Sequence, residues 1–169
     1  MILEFEMDLR RALSSCLDPE RAFKRDLSRM FKLRSRGNKI GVKIMRRRII
    51  YKFGCYISPE AELSPDIDYP HPSGIVIGRG VKISDGCTIY QNVTIGVESK
   101  TSSAYPNIEN DCVIYAGAKI IGPVVLKAGS CVGANAVVLP SSPCGKNNDT
   151  LVGIPAKSVR AKAGRSGDE

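Results

Sequence analysis

The sequence predicts a mainly β chain: a parallel β-helix of six-residue repeats, preceded by a short helical segment. Three observations carry this reading. Aliphatic residues recur every six positions from Ile77 onward, and glycines and asparagines punctuate the intervals. The first 53 residues lack the repeat and space their apolar residues as helices do.

In chain order, "ILEFEMDLRRALSSCL" and "ERAFKRDLSRMFKL" read as amphipathic helices, with Asp18 placed to cap the second. "GVKIMRRRIIYKFG" predicts a third short helix that stops at Gly54. A β-helix leaves unpaired backbone at its open end, and helices placed here would cover it. Residues 1–53 are therefore read as a helical segment, 54–156 as the β-helix and 157–169 as a C-terminal tail.

The repeat runs through Ile77, Ile83, Ile89 and Ile95, then Ile108, Ile114, Ile120, Leu126, Val132 and Val138. A period of six suits neither a helix nor one alternating strand. It suits short strands joined by tight corners, three to a triangular coil, with coils stacked at roughly 4.8 Å. Gly78, Gly80, Gly86, Gly117, Gly122, Gly129 and Gly133, with Asn92, Asn110 and Asn135, supply small or left-handed corner residues. Chains of such hexads coil left-handed, against the usual crossover rule.

Ile57 and Leu63 carry the same spacing, so the first coil begins near residue 55. Leu63 and Ile77 are 14 residues apart, two more than the register allows. His71, the single histidine of the chain, falls in this disturbance between Pro70 and Pro72. Phase alone points it into the core, six residues before Ile77, but flanking prolines argue against a regular strand and for an outward imidazole. A second interruption, "VESKTSSAYPN" at 97–107, reads as a polar loop leaving the coil.

The net charge is +8, and its positive excess lies in residues 1–52, which hold 15 Lys and Arg against 6 Asp and Glu. That imbalance suits either a solvated helical face or contact with an anionic surface, such as a membrane. Aromatic platforms and nucleic-acid motifs are missing, so charge alone would give nucleic acid only unspecific attraction. The chain has no apolar run long enough to span a bilayer and no secretory leader pattern, which leads us to expect a cytoplasmic protein, with peripheral contact at the inner membrane surface open. Six cysteines show no paired spacing and no histidine partners, so no metal site is expected.

The stretches "HPSGIVIG", "VTIG", "AGAKIIG", "VGANAVVL" and "VGIPAK" resemble the serine acetyltransferase branch of the hexapeptide-repeat acyltransferases, across about residues 54–157. The resemblance implies a homotrimer with sites between neighbouring β-helices and acetyl-CoA as donor. It implies His71 as catalytic base, Gly96, Ala116, Ala134 and Lys157 along the coenzyme site, and no metal. Three departures accompany it. Tyr56 stands where the family carries an aspartate that works with the histidine, Ala104 and Tyr105 replace an Arg-His pair, and the preceding helical domain is short. These departures resemble the O-acetyltransferases of capsule, colanic acid and lipopolysaccharide pathways, whose acceptors are sugar hydroxyls.

An imidazole titrating near 6.5 suits general-base work on a hydroxyl. It needs a partner to fix its tautomer, and Asp66, Asp68 or a backbone carbonyl are the candidates. Tyr56, Asp68 and Tyr105 are thus placed on the acceptor side, with Tyr105 able to hydrogen-bond to or stack on a sugar. Saccharide O-acetylation is the leading expectation. Serine O-acetylation is the alternative, and a non-catalytic scaffold whose basic helices bind an anionic surface is the third.

Overall fold

The computed structural model describes residues 18–98, 104–142 and 146–159. The first predicted helix, 2–17, lies outside them. Helix α1 spans Pro19–Ser35 and α2 spans Lys39–Phe53. Asp18 caps α1 as expected: its Oδ1 accepts from the backbone N–H groups of Glu20 and Arg21, at 3.0 and 3.3 Å. Helix α2 starts two residues before the expected glycine because Asn38 Oδ1 accepts the Gly41 N–H at 2.8 Å. It stops at Gly54, which is left-handed (φ 64°) and donates its N–H to the Ile50 carbonyl.

The helices pack antiparallel, as the contacts Phe23–Phe53 and Asp26–Arg48 require. Phe23 meets Phe53 edge-on at 5.1 Å and Tyr69 of the first coil at 5.0 Å. That aromatic cluster closes the open end of the β-helix. The outer side of α2 is a different surface, with Ile40, Ile44 and Tyr51 exposed among Lys43, Arg46 and Arg47.

Short strands then wind into a left-handed parallel β-helix with three faces. The first face stacks β1 (Tyr56–Ile57), β3 (Val76–Ile77), β6 (Thr94–Gly96), β9 (Lys119–Ile121) and β12 (Val137–Val138). The second stacks β2 (Glu62–Leu63), β4 (Lys82–Ile83), β7 (Asn107–Ile108) and β10 (Val125–Leu126). The third stacks β5 (Thr88–Ile89), β8 (Val113–Ile114), β11 (Cys131–Val132) and β13 (Thr150–Val152), and β14 (Lys157–Ser158) closes it antiparallel to β13. All ten hexad residues from Ile77 to Val138 are buried, each paired in register with its counterpart one coil away.

Three details differ from the expectation. Tyr69 continues the hexad after Leu63, taking the core slot beneath Ile89 through the Asp68–Thr88 bridge. The two extra residues therefore fall after it, at the corner that carries His71. Asp111 rather than Asn110 takes the left-handed corner, with φ 58°. Asn107 belongs to β7 rather than to the preceding loop.

Candidate active site

The edge between the third and first faces is built from successive corners: Pro70–Gly74, Tyr90–Asn92, Tyr115–Gly117 and Gly133–Asn135. At the first of these the two-residue surplus pushes the chain outward. Pro72 is buried, His71 is exposed, and the His71 carbonyl accepts the Ser73 N–H at 2.8 Å. The imidazole is thus held away from the core by backbone geometry. It forms one wall of a cavity of about 450 Å³ whose other walls are Pro70, Pro72, Ser73 and, from the helices, Pro19, Lys52, Phe53 and Gly54.

Below His71 the edge is aromatic and then small. The Tyr90 ring lies 6.3 Å from His71, tilted by 58°, and stacks on Tyr115 at 5.4 Å and 16°. Ala116, half-buried, and Ala134, exposed, follow on the second and third corners beneath His71. Lys157 is exposed on β14, in register with Val152 just past the last strand of this edge. These four sequence-predicted residues lie along one line of the prism.

The others lie elsewhere. Gly96 ends β6 at the opposite margin of the first face, paired with Ile121, and a Cβ built there meets nothing within 4 Å. Tyr105 sits at that same margin with its ring over Gly80 of its own chain. Tyr56 is exposed on β1, where it shares a basic cavity of about 430 Å³ with Lys43, Arg46, Arg47, Ile50 and Tyr51. Asp68 does not orient His71. Its outward position on the third face directs the carboxylate to Lys24 of α1, which also bonds Glu20 at 3.2 Å. Asp66 is exposed, and its N–H is taken by Ser64 Oγ. Among the described residues no hydrogen-bond partner fixes the His71 ring.

Tyr90, Tyr115 and Lys52 were missed in the sequence. The two tyrosines each follow a hexad isoleucine directly, Ile89 and Ile114, and that shared offset was the available signal. Cys55, Cys87 and Cys112 belong to the core rather than the site, and Cys131 is half-buried on the outward side of β11. Cys87 and Cys112 donate to the carbonyls of Glu109 and Lys127 at 3.1 and 3.2 Å, and contact with Cys87 together with burial pushes the Cys112 thiol up. Cys16 and Cys144 lie outside the described residues. Among those described, no cluster of His, Cys, Asp or Glu could hold a metal ion.

Residues 105–140 match the model of the bacterial transferase hexapeptide, six repeats. Those residues carry the hexapeptide repeat of bacterial transferases. The chain is similar to the serine acetyltransferase of Staphylococcus xylosus, 38% identical over 115 residues, which is 68% of this chain and 52% of that protein. The serine acetyltransferase of Buchnera aphidicola is also 38% identical, over 117 residues and 42% of its length. Among solved structures, the serine acetyltransferase of Brucella abortus in complex with coenzyme A superposes with a TM-score of 0.71 at 28% identity, over 80% of this chain and 53% of that one. The chain thus spans about half the length of the relatives it matches.

Proposed function

We propose that this chain is an acetyl-CoA-dependent O-acetyltransferase in which His71 is the general base, and that L-serine is the acceptor its relatives favour. One observation carries the reading. The only histidine stands exposed on a cavity wall, at the head of an edge whose lower corners are alanine. The relatives are named serine acetyltransferases, and a neighbouring structure of that name holds coenzyme A.

The chemistry follows from the placement. The imidazole takes the proton of the acceptor hydroxyl as its oxygen attacks the thioester carbonyl. The C–S bond breaks, and the imidazolium returns the proton to the departing thiolate. General-base assistance of this kind contributes roughly 10²–10⁴-fold. The residues fit the coenzyme: Ala116 and Ala134 leave room for a slender arm beside the Tyr90–Tyr115 stack, and the Lys157 ammonium offers a phosphate partner at the far end. At about 4.8 Å per coil, the line from His71 to the last corner spans roughly 15–20 Å.

In a homotrimer, the margin bearing Gly96 and Tyr105 of one subunit faces the His71 edge of the next. Both residues then reach the site from the neighbour, although Tyr105 is occupied by its packing on Gly80 and is a weak partner for a sugar ring. An anionic membrane surface would meet the chain through α2, where Ile40, Ile44 and Tyr51 are exposed among lysines and arginines; flotation with phosphatidylglycerol vesicles tests it.

A saccharide hydroxyl is the second reading, favoured by one observation: Ala104, exposed in the loop, offers no cation to an amino-acid carboxylate. Thiol release from acetyl-CoA, measured with L-serine against a panel of sugars and lipid-linked sugars, separates the two. The expected result is turnover with L-serine that His71→Ala lowers a hundredfold or more. Turnover with sugars alone moves the assignment to the second reading. Coenzyme binding without turnover of any acceptor overturns both readings, and no coenzyme binding leaves a scaffold.

A further inference from the structure

The proposed donor path leaves His71 in one direction only. Ala116, Ala134 and Lys157 all lie on later coils, so the acceptor must approach from the other side of the imidazole. That side is the cavity between the first corner and the helices. Its lining is mostly apolar or backbone: Pro19, Phe53, Gly54, Pro70 and Pro72. Apart from His71 itself, the titratable side chain in the lining is Lys52, on the last turn of α2.

Lys52 is placed rather than loose. Its Nζ lies 5.1 Å from the centroid of the Phe53 ring, and that ring is pinned against Phe23. The cation–π contact keeps the ammonium over the cavity wall. Lys24, Lys82 and Lys127 are neutralised by carboxylates, Lys24 by Glu20 and Asp68, Lys82 by Glu62 and Lys127 by Glu109. Lys52 stands with Lys32, Lys39, Lys43 and Lys157 among the described lysines that are not, and of these it is the one that lines the His71 cavity. Lys52 is exposed at the rim of this cavity, so its ammonium is open to an anionic group that enters beside His71.

We infer that Lys52 is the specificity-determining residue of the acceptor side, holding an anionic group of the acceptor while its hydroxyl lies against His71. The inference rests on the O-acetyltransfer proposed above and deepens it. The acceptor class becomes a hydroxyl compound bearing a carboxylate or a phosphate, and a neutral sugar is excluded.

The test compares wild type with Lys52→Met, which keeps the length and removes the charge, and with Lys52→Arg, which restores charge. Four acceptors are used: L-serine, L-serinamide, a hexose and the same hexose 1-phosphate. Lys52→Met is expected to raise KM for the anionic acceptor roughly ten- to a hundredfold, as loss of a charge-assisted hydrogen bond does. The loss falls on KM rather than kcat, is absent with the uncharged analogue, and is largely rescued by Lys52→Arg. Whether L-serine or the hexose phosphate shows the effect identifies carboxylate or phosphate. Equal effects on charged and neutral acceptors, or none, overturn the role of Lys52 and leave the general-base reading intact. Should wild type acetylate no acceptor, titration calorimetry on the coenzyme-bound protein decides separately. Binding of L-serine or hexose phosphate that Lys52→Met abolishes sustains the anion site without the transfer reaction, and absence of binding overturns both.

Discussion

The rings of His71 and Tyr90 stand one coil apart on the same edge, 6.3 Å between centroids, and Tyr90 in turn lies flat on Tyr115. Since no hydrogen bond within the described chain fixes the imidazole, this aromatic column is its nearest support. His71→Ala is expected to keep the melting temperature and lower kcat by about two orders of magnitude or more. Tyr90→Ala, which removes the support and not the base, is expected to lower kcat/KM by roughly three- to tenfold, the worth of one aromatic contact. Steady-state rates of thiol release for the two variants check both, and a Tyr90→Ala loss as deep as that of His71→Ala would assign the tyrosine a direct chemical role.

Gly117 occupies a corner that only glycine fits. Its φ is +73°, and a Cβ there would sit 2.1 Å from Asn135 Oδ1 of the next coil. Gly54 shares the left-handed geometry at +64° but has nothing nearer than 3.8 Å. Gly54→Ala thus carries the conformational penalty alone, about 1 kcal/mol. Gly117→Ala adds an overlap that the exposed Asn135 side chain relieves in part by turning away, and is expected to cost about 1–2 kcal/mol more. Urea midpoints measure the difference, and equal midpoints would mean that the corner relaxes freely.

How far the sequence could be read follows from which positions face inward. Ile77 to Val138 announce themselves because a core slot accepts only apolar residues, so phase alone locates them. Tyr69 fills such a slot but is aromatic, and a count of aliphatic residues passes over it, which misplaces the surplus by one corner. Leu151 resumes the core 13 residues after Val138, the same gap that separates Ile95 from Ile108. Outward positions carry no such constraint. Asp68 and Lys24 meet across 44 residues, and Tyr105 folds over Gly80, through contacts that periodicity does not encode. Lys52 was legible as a helix residue and not as a wall of the His71 cavity, since that juxtaposition needs α2 docked on the first coil.

Asp26 and Arg48 tie the two helices, Oδ2 to Nε at 2.9 Å, and their surroundings are unequal. The carboxylate has no exposed surface, while the arginine side chain keeps 51% of its own. Removing the arginine leaves a buried anion whose remaining cation among the described residues is Arg29, at 3.9 Å. Arg48→Met is therefore expected to cost about 2–4 kcal/mol. Asp26→Asn leaves an arginine that water can reach, and is expected to cost about 1 kcal/mol. Chemical denaturation of both variants tests the asymmetry, and the reverse order would show that the arginine acts through its aliphatic packing.

Glu109 links two coils at the corner between the second and third faces, accepting from Lys127 Nζ at 2.8 Å and from the Ala128 N–H at 3.1 Å. The hydrogen bond from Lys127 is the main cause that holds its carboxyl below the ordinary value of 4.5, with the Ala128 N–H and the lysine charge adding to it against the opposing effect of desolvation. A depressed folded-state value means that the unfolded chain binds the proton more readily. The stabilisation is then present above the unfolded value and fades as pH falls through the folded one. Glu109→Gln should melt below wild type at pH 7, with the gap closing progressively as pH is lowered beneath about 4.5. The side chain is close to solvent, so added salt should narrow the gap at pH 7 as well. Melting curves of the pair from pH 7 to pH 3 check the sign, and a gap that widens on acidification would mean that the carboxylate is destabilising where it stands.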